Sequence, residues 1–170
     1  PAAGPAAAAS SATVYVTVSV AGEIPTGKSG KLMAQVPVTV TDRNKNEVPD
    51  IDDALFALHE TYYDGGAEAG YASEEGAYGL SLTKLWGDLG PAFGYWLNNT
   101  SAWSLTDPVA SGDHLSVYVY QDQDTWSDSY TKFDAFRKTV PVGESLTLVL
   151  ESAGYDASYN MVWSPLEGAS

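Results

Sequence analysis

The chain has 170 residues, 44% hydrophobic and 12% aromatic, with 8 Lys plus Arg against 22 Asp plus Glu, a formal net charge of −14 and no cysteine. That composition excludes thiolate zinc sites, disulfide frameworks and cysteine nucleophiles. The negative surface repels phosphate backbones and anionic lipid heads, so nucleic acid and direct membrane insertion are not expected; cations, sugars and neutral or basic partners remain. The same acidity also serves solubility alone. A chain of this length suits one domain, or one domain with an added hairpin, and buries roughly 70% of its unfolded surface. No apolar run approaches the roughly 20 residues that span a bilayer. Ala6 to Ala9 is too short and too weakly hydrophobic for a signal-peptide core.

In chain order, residues 1–11 are Pro, Ala, Gly and Ser without charge or period, which reads as a linker to a neighbouring domain. From Ala12 to Val20, valines at alternate positions predict a half-buried strand. A second strand is expected over Leu32 to Val40, with Pro37 directing it to a sheet edge or a bulge. Ile51, Leu55, Leu58 and Tyr62 form a helical stripe from about Asp52 to Tyr63, with Asp50 or Asp52 as its cap and Gly65-Gly66 as its stop. A Gly/Ala/Glu loop leads to an alternating segment, Ala77 to Trp86, with Tyr78, Leu80 and Leu82 in phase. Further strands are expected at Phe93 to Leu97, at His114 to Tyr120 and around Leu146, Leu148 and Leu150. This order implies an α+β fold in which a mostly antiparallel sheet covers one main helix. The expected domain runs over residues 12–153, and residues 154–170 supply a tail strand, closing a C-terminal β-hairpin, or begin a further module.

Four short motifs carry a family resemblance. Asp53-Ala54-Leu55, Tyr78-Gly79-Leu80, Gly94-Tyr95-Trp96-Leu97-Asn98 and Ser111-Gly112-Asp113 occur in an order and spacing that resemble the transcobalamin-like C-terminal domain family. Over Ala12 to Gln121 the resemblance implies a β-grasp-like fold, a mixed sheet wrapped on one helix. Val140 to Ala169 resembles segments of bacterial cell-surface proteins built of successive modules. Together these imply an extracellular, non-catalytic module at a bacterial cell surface, structural or adhesive. Its expected partners are an unidentified extracellular ligand or host surface and neighbouring domains of the same chain. The alternative is a small-molecule binding module that takes a corrinoid or a glycan on exposed aromatic rings.

Two groups of residues are candidates for chemistry. Asp42, Asn44, Asn46, Asp50 and Asp53 place oxygen side chains at positions 1, 3, 5, 9 and 12 of a twelve-residue loop before a helix, with Val48 supplying a carbonyl at position 7; that spacing converges on one calcium ion. Glu47 replaces the glycine such a loop needs, and Asp53 replaces the usual bidentate glutamate. The competing reading is an Asn-rich turn followed by helix capping. The second group is aromatic: Trp86, Tyr95, Trp103 and Trp126 as ligand-stacking residues, against a core role that suits Trp86 and Trp96 better than the loop residues Trp103 and Trp126. Asp122, Asp124 and Asp128 read as a solvated acidic turn. Asn98-Asn99-Thr100-Ser101 reads as a turn, and His59 as a histidine bonded to nearby backbone. No phosphate-binding glycine loop, nucleophile elbow or HExxH motif occurs, so no catalytic residue is assigned.

Overall fold

Alternating valines, a single capped amphipathic segment and closely spaced turn residues dictate the elements seen in the computed structural model, which describes residues 11–168. The linker expected over residues 1–11 lies outside the described residues except for Ser11, which begins the first strand. The architecture is mixed α and β, with one main helix and three small sheets among the described residues. The chain divides into two compact units at 123/124. The boundary expected at 153/154 falls inside a strand.

In the first unit, strands β1 (Ser11–Ser19) and β2 (Val36–Thr41) pair antiparallel, with Val14 opposite Val38. Helix α1 (Ile51–Tyr62) follows, then a single turn α2 (Gly66–Gly70) and the hairpin β3 (Tyr71–Gly76) and β4 (Gly79–Leu85). Strands β5 (Phe93–Leu97), β6 (Thr100–Ser101) and β7 (His114–Val119) complete the unit. The main sheet has the order β2-β1-β7-β5-β6, with β1 and β7 parallel at its centre. Its edge strand β2 carries Pro37, where the missing N–H breaks no ladder.

One face of this sheet carries Val14, Val16, Val18, Val36, Val38, Leu115 and Val117, packed with Ile51, Ala54, Leu55 and Leu58 of α1 in one core. Spacing of three and four residues along α1 puts those side chains on a single stripe. The other face carries Tyr15, His114, Trp96 and Tyr118. Trp96 is therefore buried, at 7% exposure, on the side turned away from α1, with its indole N–H donating to the Tyr118 hydroxyl at 3.1 Å. A Cβ at Gly94 would collide with the Tyr118 ring, so any larger residue there must displace the ring or the strand.

Several sequence expectations shift by a definite cause. The second strand begins at Val36 rather than Leu32, because Gln35 takes a left-handed φ of 48° and breaks the extended run. In the β3–β4 hairpin the register skips Thr83: Ala72 faces Lys84 while Ser73 faces Leu82. This bulge changes the phase, so Leu82 and Leu85 are both buried and Tyr78 stands in the open turn. Asn98 and Asn99 both have positive φ, 52° and 62°, forming the tight turn between β5 and β6. Asn98 also donates to Asp113 at 2.9 Å and accepts the His114 N–H at 2.9 Å, tying that turn to the Gly112-Asp113 turn.

The second unit holds β8 (Thr131–Phe133), β9 (Leu150–Tyr155) and β10 (Met161–Pro165), all antiparallel in the order β10-β9-β8. The late strand expected around Leu146 and Leu148 starts only at Leu150; the two earlier leucines lie in exposed irregular chain. Asp156 builds the β9–β10 turn by accepting the Ser158 and Asn160 N–H groups at 2.8 and 2.9 Å. Lys132 pairs with Glu151 and lies 4.4 Å from the centre of the Trp163 ring. No helix among the described residues is long and apolar enough to cross a membrane.

Candidate functional site at the entrance to the main helix

A helix begins with four backbone N–H groups that have no partner inside the helix. At α1 each one is taken by protein. Ile51 donates to the Asp107 carbonyl at 3.2 Å and Asp52 to the Leu105 carbonyl at 2.8 Å. Asp53 donates to the Asp50 carboxylate at 2.9 Å, and Ala54 makes the first bond of the helix itself, to the Asp50 carbonyl at 3.0 Å. The Asp50 N–H in turn donates to the Asp53 carboxylate at 3.4 Å, closing a capping box. Of the two caps the sequence offered, Asp50 is the one used.

Asp50, Asp52 and Asp53 are buried and bring carboxylate oxygens within 4.8 Å of one another. Three carboxylates that close repel unless donors surround them. The donors come from the loop and from β3. Asn44 and Asn46 give side-chain N–H groups to Asp50 at 2.8 and 2.6 Å. Arg43 pairs with Asp52 at 2.6 Å, gives its backbone N–H to Asp53 at 3.1 Å, and lays its guanidinium 4.3 Å from the Phe56 ring centre. The Tyr71 hydroxyl and the Ser73 hydroxyl donate to Asp52 at 2.5 and 2.7 Å. Burial raises the Asp53 carboxyl above its ordinary range, the Asp50 charge adds to the rise, and the N–H bonds oppose it. Burial beside Asp52 likewise raises the Tyr71 phenol.

The five side chains of the calcium reading thus divide into two groups. Asp50 and Asp53 are buried in the capping box. Asp42, Asn44 and Asn46 accept backbone N–H groups of the loop itself: Asp42 from Asn46 and Glu47 at 3.1 Å each, Asn44 from Asn46 at 3.1 Å and Asn46 from Val48 at 3.3 Å. Glu47, at the place where a calcium loop carries glycine, takes the positive φ of 87° that glycine would favour. Arg43, Tyr71 and Ser73 were not singled out from sequence; Tyr71 and Ser73 lie nineteen and twenty-one residues beyond Asp52, brought to it by the β3–β4 hairpin.

At the far end of α1, His59 is fully buried. Its Nδ1–H donates to the Leu55 carbonyl at 2.7 Å and its Nε2 accepts the Trp86 backbone N–H at 3.0 Å, which fixes a neutral ring. Burial lowers its pKa to about 4, against the Leu55 bond and with a smaller lowering from Lys84. Rings of Tyr63, Tyr71 and Trp86 surround it with centroids 6.0, 5.3 and 5.1 Å away.

No family model, curated protein or solved structure matches the chain.

The aromatic candidates separate by environment. Trp103 is 92% exposed and Trp126, in the second unit, 58% exposed. Tyr78, expected from sequence in a strand and a family motif but not among the ligand-stacking residues, is 98% exposed; its neighbour Gly79 lies against Ser104, next to Trp103. Tyr95 is half-buried on the helix-facing side of the sheet and lines a hollow of about 360 Å³ with Leu89, Pro91 and Phe93. Burial, helped by Asp107, raises its phenol. Trp86 is half-buried, neither core nor free surface.

Proposed function

We propose that the chain is a non-catalytic extracellular module of a bacterial surface protein, with a β-grasp-like first unit followed by a smaller β unit. The observation that carries the non-catalytic reading is the state of the buried ionisable side chains. Asp50, Asp52, Asp53 and His59 are each held by hydrogen bonds that fix the ends of α1. Catalytic acids and bases keep a lone pair or proton aimed at a substrate; these four spend theirs on the fold.

The sheet order β2-β1-β7-β5-β6, with a parallel central pair and the helix entered from β2, supports the β-grasp-like reading and the transcobalamin-like resemblance with it. The acidic, cysteine-free composition permits an exported module and does not by itself select one. The bonds within the Asp42 to Asp53 loop support a self-sufficient helix entrance more than a calcium site. Antibody against the folded chain should label intact source cells, and protease added outside should remove the label. Labelling only after lysis would overturn the surface reading.

A second reading, a small-molecule binding module, is favoured by the exposure of Trp103 and Tyr78 on adjoining loops of the first unit. Large bare aromatic faces are costly in water and suit stacking on a flat ligand. A glycan array and a visible-spectrum titration with cobalamin test it, with loss on Trp103→Ala as its signature.

A further inference from the structure

The C-terminal end of α1 opens on a cleft of about 300 Å³, lined by Thr26, Lys28, Tyr62, Tyr63, Asp64 and Trp86. Its walls come from three separate stretches of chain, and two glycines let them meet. A Cβ at Gly27 would lie 2.8 Å from the Tyr62 carbonyl oxygen, and one at Gly87 would collide with the Tyr63 hydroxyl. Both glycines are therefore required by the close approach of the cleft walls.

Trp86 is held in the cleft by more than packing. Its φ of 51° is left-handed, an unfavourable conformation for a bulky residue. The strain is secured by the N–H bond to buried His59 and by the Tyr63 ring, set edge-on at 5.2 Å and 85°. Strain kept in place by a buried polar bond marks a side chain whose orientation matters. The Trp86 indole N–H, the Tyr63 hydroxyl, the Thr26 hydroxyl and the Asp64 carboxylate have no protein partner among the described residues, whereas Lys28 reaches the Glu60 carbonyl at 3.4 Å.

We infer that this cleft binds one pyranose ring of a glycan. The C–H face of a sugar packs on aromatic rings, while its hydroxyls both donate and accept. Tyr63 and Trp86 supply the first need, Tyr62 already carrying Lys31 5.0 Å from its ring centre; a carboxylate, two hydroxyls and an indole N–H supply the second. The volume is at the low end for ligand pockets and suits a single ring rather than a large planar macrocycle. A formal charge of −14 on the chain works against nucleotides and other phosphate-rich ligands. The site goes beyond the surface reading and does not depend on where the protein works, so failure of either leaves the other standing.

The test is nitrogen-edited NMR of the whole chain titrated with glucose, galactose, N-acetylglucosamine and N-acetylneuraminic acid into the millimolar range. At least one sugar should give saturable shifts at the Trp86 indole and at the Thr26 and Asp64 amides. Asp64 is exposed and makes no hydrogen bond, so Asp64→Ala should fold normally and weaken that binding by about tenfold, the loss of one charge-assisted hydrogen bond. Trp86→Phe, which keeps a ring but no indole N–H, should weaken it as well. No saturable shift with any of the four sugars would overturn the inference. So would shifts gathered at Trp103 or Trp126, or undiminished binding by Asp64→Ala.

Discussion

Asp50 and Asp53 cap the same helix end for each other: the Asp50 carboxylate accepts the Asp53 N–H at 2.9 Å, and the Asp53 carboxylate accepts the Asp50 N–H at 3.4 Å. Two acidic residues of like charge are kept together because each gains a donor from the other's backbone. Asn44, Asn46 and Arg43 then absorb the remaining lone pairs. The arrangement couples the loop after β2, the start of α1 and the Leu105 to Val109 segment into one buried network.

Removing that cap has a defined cost. Asp50→Ala should lower stability by about 1–3 kcal/mol, combining a lost cap with two asparagine amides left without their acceptor. Asp50→Asn retains an oxygen for the Asp53 N–H and should lie within about 1 kcal/mol of the parent. Urea unfolding at neutral pH measures both. Equal stability of parent and Asp50→Ala would show that the network is not what holds the helix end.

Calcium provides a second check on the same loop. A ligand that binds only the folded state raises the melting temperature in proportion to its occupancy. Because the loop oxygens already accept N–H groups, millimolar calcium should shift the thermal midpoint no more than sodium chloride at equal ionic strength does. A saturable rise with calcium, abolished in Asp42→Ala, would restore the cation reading of Asp42, Asn44, Asn46, Val48, Asp50 and Asp53.

Gly94 tests the outer face of the main sheet. Its Cα lies under the Tyr118 ring, whose hydroxyl accepts from Trp96. Gly94→Ala should cost about 1–3 kcal/mol, since either the ring or the strand must move. The adjacent Trp96 indole N–H should then shift in NMR, reporting the displaced Tyr118. A variant that keeps both stability and that resonance would contradict the placement.

Much of the fold was legible because local signals agreed. The alternating valines of β1, the stripe of α1, and the Asn-Asn and Gly-Asp turns each admit one local structure, while the cap of α1 was open between Asp50 and Asp52. What sequence could not convey were effects set by distant partners. The bulge at Thr83 reverses the phase of β4 so that Leu85, not Lys84, follows Leu82 into the core, and only the pairing with β3 fixes it. Leu146 and Leu148 alternate like a strand yet pair with nothing as strand residues, so periodicity alone misplaced them. The site followed the same rule. The oxygen spacing of Asp42 to Asp53 was readable, but it did not show that Asp42, Asn44 and Asn46 accept the loop's own N–H groups, nor that Arg43, Tyr71 and Ser73 surround the neighbouring Asp52. Trp86 stood out by type, while its cleft partners Tyr62, Tyr63 and Asp64 were hidden in a helix end and its flanking turn.

His59 is the most direct test of whether the buried ionisable groups serve the fold rather than chemistry. Its folded pKa of about 4 lies below the ordinary value of 6.5, so the unfolded chain binds the extra proton first as pH falls. The stability it contributes is complete above pH 6.5 and is lost between 6.5 and about 4, a loss of about 3 kcal/mol. Raised Asp53 works in the opposite sense, costing stability as pH rises through its folded value, so a bulk melting curve mixes the two. The decisive measurement is a residue-resolved NMR titration of the His59 ring. The ring should be a neutral Nδ1–H tautomer with a midpoint near 4, and the Trp86 amide signal should move in step. A midpoint near 6.5, with the Trp86 amide unaffected, would mean that His59 is free to exchange protons with solvent and would contradict its role in the fold.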